Sequence, residues 1–290
     1  MANTILNKQQ QETKKQKERN NPMLVNPTLY KIQQLRLHTM AAAFKEQLES
    51  PTITCLSFEE RLGLLIDAEV SARENRRLQQ RLRKARLHQS ACIEDIDYHS
   101  PRHLDKPLLA TLTHCQWVPS HHNILIVGPC GTGKTFLACA LAHKSCLSGY
   151  TSLYCRVGRL LSELQLGKGD GQYSKRMTEL AKTDVLILDD FGLSPLTEDH
   201  QRDLLEILDD RHDKRSTIVT SQVPVKLWHD CIGNETLADA ILDRLVHNSY
   251  RVEIKGESMR KARSHIEKDK NSLKEEKTLN PLLVKKSDED

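Results

Sequence analysis

Hydrophobic positions follow two different patterns along the chain. Between residues 23 and 100 the apolar residues recur at intervals of mostly three and four, which is typical of amphipathic helices. After residue 122, short apolar runs rich in β-branched residues alternate with helical stretches, and this order predicts a parallel sheet between helices. We therefore expect an all-helical domain followed by an α/β domain. Strands are predicted at residues 124–127, 152–156, 185–188, 217–220 and 250–254.

Two long helices are predicted in the helical part. The first covers residues 29–48. The second covers about residues 58–90, and Ser57 and Glu60 at its start have the spacing of a capping box. In the α/β part, residues 167–171 contain three glycines and are predicted to form a mobile loop.

Composition and charge indicate a soluble protein with polar ends. The 290 residues are 38% hydrophobic and 28% charged, with a formal net charge of +4. No apolar run approaches the ~20 residues that a membrane span needs, and residues 1–22 lack the apolar centre of a secretory signal. The eight cysteines include no C-x-x-C pair, so neither a zinc site nor a disulfide framework is indicated. We expect a cytoplasmic protein with no membrane partner and with disordered tails at residues 1–22 and 264–290.

The second half of the long helix is strongly basic. Residues 73–86 contain seven basic residues and one acidic residue. A run of positive charge with few acids to pair with favours contact with the phosphate backbone of nucleic acid, and a solvated helix face is the alternative. We interpret residues 23–100 as an N-terminal helical, DNA-binding domain. Its candidate DNA contacts are Arg73, Arg76, Arg77, Arg81, Arg83 and Lys84.

The first predicted strand runs directly into a glycine-rich motif. It reads Gly128-Pro129-Cys130-Gly131-Thr132-Gly133-Lys134-Thr135, which fits the phosphate-binding pattern G-x-x-x-x-G-K-[ST], and an apolar helix follows. The glycines allow backbone N–H groups to point at phosphate oxygens, and the helix adds its positive end. Lys134 is expected to reach the β- and γ-phosphates, and the Thr135 hydroxyl to bind Mg²⁺. The alternative is a glycine-rich turn that matches by chance, which the flanking strand and helix argue against.

A second signature ends the third predicted strand. The apolar residues 185–188 precede Asp189 and Asp190. An apolar strand that ends in acids, downstream of a phosphate loop, is typical of a Walker B element. Asp189 is then expected to hold Mg²⁺, directly or through water, and Asp190 to polarise the attacking water. The alternative is an aspartate that caps a turn.

The fourth predicted strand ends in the polar residues Thr220, Ser221 and Gln222. In ATPases whose sheet has an extra strand between the phosphate loop and Walker B, a polar residue here faces the γ-phosphate. Ser221 or Gln222 is a candidate for this sensor, and a plain turn is the alternative for each. Residues 181–184 nearly match the guanine-specific pattern N/T-K-x-D, but they precede Walker B and cannot reach the base. Adenine is preferred, so ATP with Mg²⁺ is the expected cofactor.

Together these motifs resemble the AAA+ ATPases of the IstB/DnaC group, and within it the IstB-like helper ATPases of insertion sequences. The resemblance covers residues 26–264. It is carried by residues 56–62, by Glu69 with residues 73–78, and by residues 128–135, 186–192, 220–222, 240–245 and 256–260. The combination is specific, whereas the phosphate loop alone would indicate only an NTPase.

The resemblance implies a fold, an activity and partners. The fold would be an AAA+ P-loop NTPase core at residues 101–263, with a parallel five-stranded sheet between helices. The activity would be Mg²⁺-dependent ATP hydrolysis by a homo-oligomer that assembles on double-stranded DNA, remodels it, and recruits or stimulates the transposase of the same element. Arg244 would be an arginine finger, and Arg260 a second sensor at the nucleotide. Few apolar residues follow Ile254, which argues against a full C-terminal lid domain.

Three other functions compete with this interpretation. A replicative helicase loader of the DnaC type would share the ATPase core, but the basic helix and the Thr-Ser-Gln sequence favour a transposition helper. A DNA-binding scaffold that holds ATP without turnover is disfavoured by the intact Lys134, Asp189 and Asp190. A small-molecule kinase is the least favoured, because the sequence has no acceptor-binding or lid pattern.

Overall fold

The structure is a computed structural model that describes residues 27–50, 53, 55–99 and 102–259. The chain forms two compact units that divide between Arg77 and Leu78, inside one long helix. Residues 78–99 therefore group with the larger unit, although the sequence pattern suggested a boundary near residue 100. The predicted tails and the candidate residue Arg260 lie outside the described residues.

The described part of the smaller unit contains two short helices where the sequence predicted one. Helix α1 spans Pro27–Gln34 and α2 spans His38–Glu49. Between them Arg36 has a φ of 58°. A residue in the left-handed conformation ends an α-helix, so the single helix predicted over residues 29–48 is wrong.

Helix α3 spans Phe58–Ala85 and crosses from the smaller unit into the larger one. Its start confirms the predicted capping box, because the Ser57 N–H donates to Glu60 Oε2 at 2.8 Å and the Glu60 N–H donates to Ser57 Oγ at 3.2 Å. The helix ends earlier than the predicted Ser90. Arg86, the next residue, has a φ of 48°, which stops the helix there.

The larger unit is built on a parallel sheet of five strands. The strands are β1 (Asn123–Val127), β2 (Ser152–Arg156), β3 (Val185–Phe191), β4 (Ser216–Ser221) and β5 (Ser249–Glu253). They lie side by side in the order β2-β3-β4-β1-β5, and all four pairings are parallel. The predicted strands are confirmed, and β4 is the extra strand expected between the phosphate loop and Walker B.

Helices cover both faces of this sheet. They are α4 (Lys106–Thr113), α5 (Lys134–Leu147), α6 (Val157–Asp170), α7 (Tyr173–Lys182), α8 (Glu198–Arg211), α9 (Trp228–Ile232) and α10 (Glu235–Val246), with single 3₁₀ turns at Ile93–Asp95 and Val225–Leu227. Successive strand residues point to opposite faces. Leu125 packs in the core that contains α6, α8 and α10, whereas Ile124 and Ile126 pack in the core that contains α4 and α5.

The segment at residues 167–171 is helical rather than a mobile loop. Helix α6 continues to Asp170, and Gly171, with a φ of 76°, ends it. Gly167 is buried, and a Cβ added there would lie 3.3 Å from the backbone nitrogen of Tyr173. The glycine thus permits close packing of α6 against the start of α7, a role that the sequence pattern did not reveal.

Arg211 at the end of α8 is an almost fully buried charged side chain of the sheet unit. It is 1% exposed, and its guanidinium donates to the carbonyl oxygens of Leu180 at 2.5 Å and Thr183 at 2.7 Å and to Thr217 Oγ1 at 3.1 Å. Burial lowers the pKa of Arg211 to about 9. The side chain therefore ties α7 to the start of β4.

Candidate active site

The phosphate loop connects β1 to α5 at the carboxyl edge of the sheet. Gly131 and Gly133 have φ angles of 79° and 95°, a conformation that residues with a Cβ rarely adopt. A Cβ on Gly131 would lie 2.0 Å from Ser258 Oγ. Helix α5 begins at Lys134 without a side-chain cap, so its positive end faces the loop. This loop and helix start have the form that binds phosphate groups.

The Lys134 side chain lies against the loop. It is 7% exposed, and its Nζ donates to the Pro129 carbonyl oxygen at 2.7 Å. Lys134 and Thr135 line a cavity of about 420 Å³ together with Asp190 and Gln222. Residues that follow β1 and β4 thus meet Asp190 of β3 at one cavity, as expected from the parallel arrangement.

Arg102 also braces the loop, and the sequence gave no signal for it. It is 6% exposed and lines the same cavity. Its Nη1 donates to the Thr132 carbonyl oxygen at 3.2 Å, and its Nη2 donates to the Asp97 carbonyl oxygen. A Cβ on Gly133 would lie 2.9 Å from Arg102 Nη1. The third glycine of the loop therefore makes room for this arginine.

Asp189 at the end of β3 is a buried carboxylate surrounded by hydroxyl groups. It is 1% exposed. Thr135 Oγ1 donates to it at 3.0 Å, Tyr154 OH donates at 2.6 Å, and Thr220 Oγ1 donates as well. Burial and the bond to Asp189 raise the pKa of Tyr154. This all-oxygen set around Asp189 fits the ligand preference of Mg²⁺.

Asp190 follows Asp189 in an uncommon backbone conformation, with a φ of 62°. Non-glycine residues in the left-handed region concentrate at functional sites. Its N–H donates to Thr220 Oγ1 at 3.3 Å, and its Oδ2 lies 3.1 Å from Arg156 Nε at the end of β2. The carboxylate is thus held toward β2, beside the cavity of the phosphate loop.

The two sensor candidates differ in position. Ser221 Oγ donates to the Phe191 carbonyl oxygen at 2.7 Å and accepts from the Val223 N–H at 3.0 Å. Its hydroxyl is used in a buried turn, so the structure corrects the expectation that Ser221 faces a γ-phosphate. Gln222 lines the cavity and remains the candidate.

Comparison with known sequences decides the family. The profile of the family described as IstB-like ATP binding protein matches residues 30–266. The chain belongs to this family. The IstB-like chain is an AAA+ P-loop ATPase, and its sheet order and phosphate loop are those expected for that fold.

Individual relatives of this IstB-like chain carry the names of insertion sequences. A protein of Sinorhizobium fredii, y4pL, named as the ATP-binding protein of an insertion sequence, is 50% identical over 82% of this chain and 98% of its own length. The ATP-binding protein named for insertion sequence IS21 of Pseudomonas aeruginosa is 31% identical over 79% of this chain and 86% of its own length. Among solved structures, that of DnaI is 22% identical, covers 57% of this chain and 90% of its own, and gives a TM-score of 0.49.

Arg244 of the IstB-like chain lies in the last turn of α10, away from its own phosphate loop. Its guanidinium pairs with Asp209 of α8 and donates through Nη1 to the Ala240 carbonyl oxygen at 2.8 Å. Asp243, the residue before Arg244, forms no ion pair with it, and the Asp243 Oδ1 atom lies 3.3 Å from His247 Nε2. The sequence could not identify Asp209, which reaches Arg244 only through the packing of α8 on α10.

Two residues of the basic part of α3 have an acidic partner that the sequence did not indicate. Glu69, one turn before the run, is 5% exposed and accepts from Arg73 Nε at 2.9 Å and Arg76 Nη2 at 3.2 Å. It also accepts the backbone N–H groups of Thr39 and Met40 at the start of α2. Arg73 and Arg76 therefore help to hold the smaller unit together.

The remaining basic residues divide into one bound and three exposed side chains. Arg81 Nε donates to the Cys146 carbonyl oxygen at 3.0 Å. Arg77, Arg83 and Lys84 are exposed, and their side chains form no hydrogen bond or ion pair with any residue that the structure describes. These three are the basic residues of α3 that can accept a new anionic partner without breaking an existing contact.

Among the helices that the structure describes, none has the length and apolar character that a membrane span requires.

Proposed function

We propose that this IstB-like ATPase is an ATP-driven helper of insertion-sequence transposition. It assembles as a homo-oligomer on double-stranded DNA, remodels that DNA, and recruits or stimulates the transposase of the same element. The names of its relatives support the link to insertion sequences. The observation that carries the ATPase part is the 3.0 Å hydrogen bond between Thr135 Oγ1 and Asp189, which joins the phosphate loop to the Walker B strand.

The nucleotide phosphates bind to the backbone N–H groups of residues 128–135 and to the Lys134 ammonium. Thr135 and Asp189 would hold Mg²⁺, which would neutralise charge on the phosphate oxygens. Arg102 keeps the loop in its phosphate-binding conformation through the Thr132 carbonyl oxygen. Arg260, which the family resemblance implies as a second sensor, completes the nucleotide site.

Asp190 accepts a proton from the attacking water, and Gln222 orients that water or the γ-phosphate. Asp190 is suited to this role because its side chain is 27% exposed and lines the cavity of the phosphate loop. In the described conformation its carboxylate is engaged by Arg156, so catalysis requires this contact to loosen.

Arg244 acts in trans as an arginine finger for a neighbouring subunit. A guanidinium is always charged and offers a planar fork of donors to phosphate oxygens. The pairing with Asp209 holds the side chain at 28% exposure, where a second subunit can reach it. Hydrolysis then depends on assembly.

The helical part at residues 23–100 binds DNA, and residues 101–263 hydrolyse ATP. Arg77, Arg83 and Lys84 are the principal contacts to phosphates, while Arg73, Arg76 and Arg81 contribute positive charge from positions already bonded within the protein. DNA and ATP are both available in the cytoplasm, where we expect the protein to act.

ATPase and pull-down measurements test this function. The wild-type chain is assayed with and without double-stranded DNA, and then used as bait for the transposase encoded beside its gene and for a replicative helicase. We expect DNA-dependent hydrolysis and capture of the transposase. Capture of the helicase alone would instead identify a helicase loader, and ATP binding without turnover would identify a scaffold.

The Lys134→Ala variant tests the assignment of the phosphate loop. Loss of the ammonium should abolish ATP-dependent assembly on DNA. Lys144→Ala, at the other end of α5, is the matched control and should assemble like wild type. Equal ATP affinity and assembly of all three proteins would overturn the assignment of the phosphate loop.

A further inference from the structure

A cavity of about 660 Å³ lies where β1, β4 and β5 end, and we call it the β5 groove. These three strands are neighbours in the sheet, and β5 is at its edge. Part of the lining is apolar and consists of Val127, Pro129, Pro224, Val225 and Ile254. Leu227, in the same 3₁₀ turn as Val225, is 43% exposed. Exposed apolar surface that is bordered by polar residues marks an interaction site.

The β5 groove also carries positive charge. Lys226, Arg251 and Lys255 line it, all three are exposed, and their side chains form no hydrogen bond or ion pair with residues in the described ranges. Glu253 is the acid of the lining. Residues two apart on a strand point to the same face, so Arg251 and Glu253 lie on one side of β5. The groove therefore fits an apolar segment that also carries acidic residues.

The last described residue, Met259, lies close to the β5 groove. Its N–H donates to the Gly131 carbonyl oxygen at 2.9 Å. Gly131 comes three residues after Gly128, which lines the groove, so at most about 11 Å separate their α-carbons. Residues 260–290 continue from this point and lie outside the described residues. Any segment of them that returns to the groove has a short distance to cover.

The sequence after Met259 contains a segment of the required chemistry. Residues 260–278 are mostly charged or polar, and residues 279–284 read Leu-Asn-Pro-Leu-Leu-Val. Two lysines and a serine follow, and then the acids at 288–290. Pro281 favours an extended conformation for itself and for the residue before it. The 19 residues from 260 to 278 span roughly 20 Å or more as a flexible chain, which is enough to reach the groove.

We propose that residues 279–284 of this chain bind in its own β5 groove, with the acids at 288–290 beside Lys226, Arg251 and Lys255. Gln222 lines both the groove and the cavity of the phosphate loop, so the bound segment lies against a residue of the ATP cavity. The match to the family profile ends at residue 266, before this segment begins. The contact is therefore a feature of this chain beyond the matched part, and it does not depend on the proposed function.

Hydrogen–deuterium exchange on the full-length chain tests the docking. In wild type, the backbone amides of residues 282–284 should exchange at least about tenfold more slowly than in a synthetic peptide of residues 272–290. Leu282→Asp combined with Leu283→Asp places two charges against an apolar wall, so this variant should lose the protection. Its exchange at Val225–Leu227 should become faster than in wild type, because the groove is then uncovered.

Leu273→Asp is the matched control for the apolar contact. It introduces a charge at an apolar residue of the same tail, outside residues 279–284, and should leave both exchange rates unchanged. Thermal unfolding shows that each tail variant is folded. Protection of residues 282–284 in wild type with no change at Val225–Leu227 in the double variant would place the segment elsewhere and overturn the groove as its site.

Charge reversal on the groove tests the acidic part of the segment. Lys226→Glu combined with Lys255→Glu should reduce the protection of residues 282–284 by about three- to tenfold, since exposed ion pairs contribute modestly. Lys175→Glu combined with Lys214→Glu is the matched control, because both lysines are exposed and neither lines the groove. An equal effect of the two double variants would remove the charge contact.

Two further outcomes overturn the proposal. One is exchange of residues 282–284 in wild type at the rate of the isolated peptide. The other is protection that disappears on dilution of the protein, which would assign the β5 groove to the tail of a second copy. ATP and DNA are left out of every measurement, so failure of the proposed function does not change these results.

Discussion

The side-chain amide of Asn123 donates a hydrogen bond of 2.9 Å to the carbonyl oxygen of Arg244. Asn123 is the first residue of β1, and the phosphate loop follows Val127, its last residue. Since a strand rises about 3.3 Å per residue, the two ends of β1 are roughly 13 Å apart. Arg244 is thus anchored at the edge of the sheet opposite to its own phosphate loop.

This placement predicts that Arg244→Ala impairs only the hydrolysis that depends on assembly of subunits. The isolated variant should bind ATP like wild type. Its specific activity should not rise with protein concentration, and at saturating concentration it should be ~10³-fold below that of wild type. Arg202→Ala, an exposed arginine elsewhere on the ATPase unit, is the control and should retain the rise.

Mixing two inactive variants provides the sharper measurement for Arg244. In a mixture of Arg244→Ala with Lys134→Ala, one kind of interface pairs an intact loop with an intact arginine, so some ATPase activity should return. Absence of any recovery at every mixing ratio, with co-assembly demonstrated, would show that Arg244 does not act in trans.

Asp190→Asn should separate binding from turnover. The amide keeps the size of the side chain but cannot take a proton from water, so we expect normal ATP affinity, hydrolysis reduced by about 10²-fold or more, and a protein that stays assembled on DNA. Filter binding of ATP and the lifetime of DNA complexes measure both effects. Turnover equal to wild type would remove Asp190 from the catalytic role.

Gly131→Ala should disrupt the phosphate loop. The added Cβ would lie 2.0 Å from Ser258 Oγ at a φ of 79°, so ATP affinity should fall and stability should drop by about 1–2 kcal/mol. Gly169→Ala is the matched control, because a Cβ there meets nothing within 4 Å and the residue lies inside α6. That variant should gain about 0.5–1 kcal/mol in urea unfolding and bind ATP normally. A loss of ATP affinity in both would contradict the argument.

Replacement of Arg83 and Lys84 by glutamine should weaken DNA binding on all sequences alike. Each lost phosphate contact reduces the magnitude of the slope of log affinity against log salt by about one. The slope of the double variant should therefore be smaller in magnitude by about two. Arg73→Gln breaks the contact with Glu69, so it should lower the free energy of unfolding. Its effect on the salt slope should be smaller than that of the double variant. An unchanged slope in the double variant would leave these residues as a solvated helix face.

The strands, the glycine-rich phosphate loop and the acidic end of β3 could be predicted from the sequence. Each of them is formed by residues that are neighbours along the chain. Gly128 to Thr135 and the end of β3 carry their geometry in the local pattern. Arg102 and Arg156 gave no such signal, because they meet the site only through tertiary packing.

Local breaks in the helices were also missed. The turn at Arg36 is not a glycine or proline, so the apolar spacing continued through it unchanged. The glycines at residues 167–171 predict a loop, whereas Gly167 permits the close approach of a neighbouring backbone. In both places packing overrides the preference of the residue itself.

The three hydroxyl groups around Asp189 allow its carboxylate to change charge partners without rebuilding the site. A hydroxyl can rotate its hydrogen and can accept as well as donate. Thr135, Tyr154 and Thr220 can therefore surround a bare carboxylate, one bound to a cation, or the carboxamide of Asp189→Asn. A cation at this carboxylate would then bind and leave through reorientation of hydroxyl protons alone, and the backbone that carries these side chains would stay where it is.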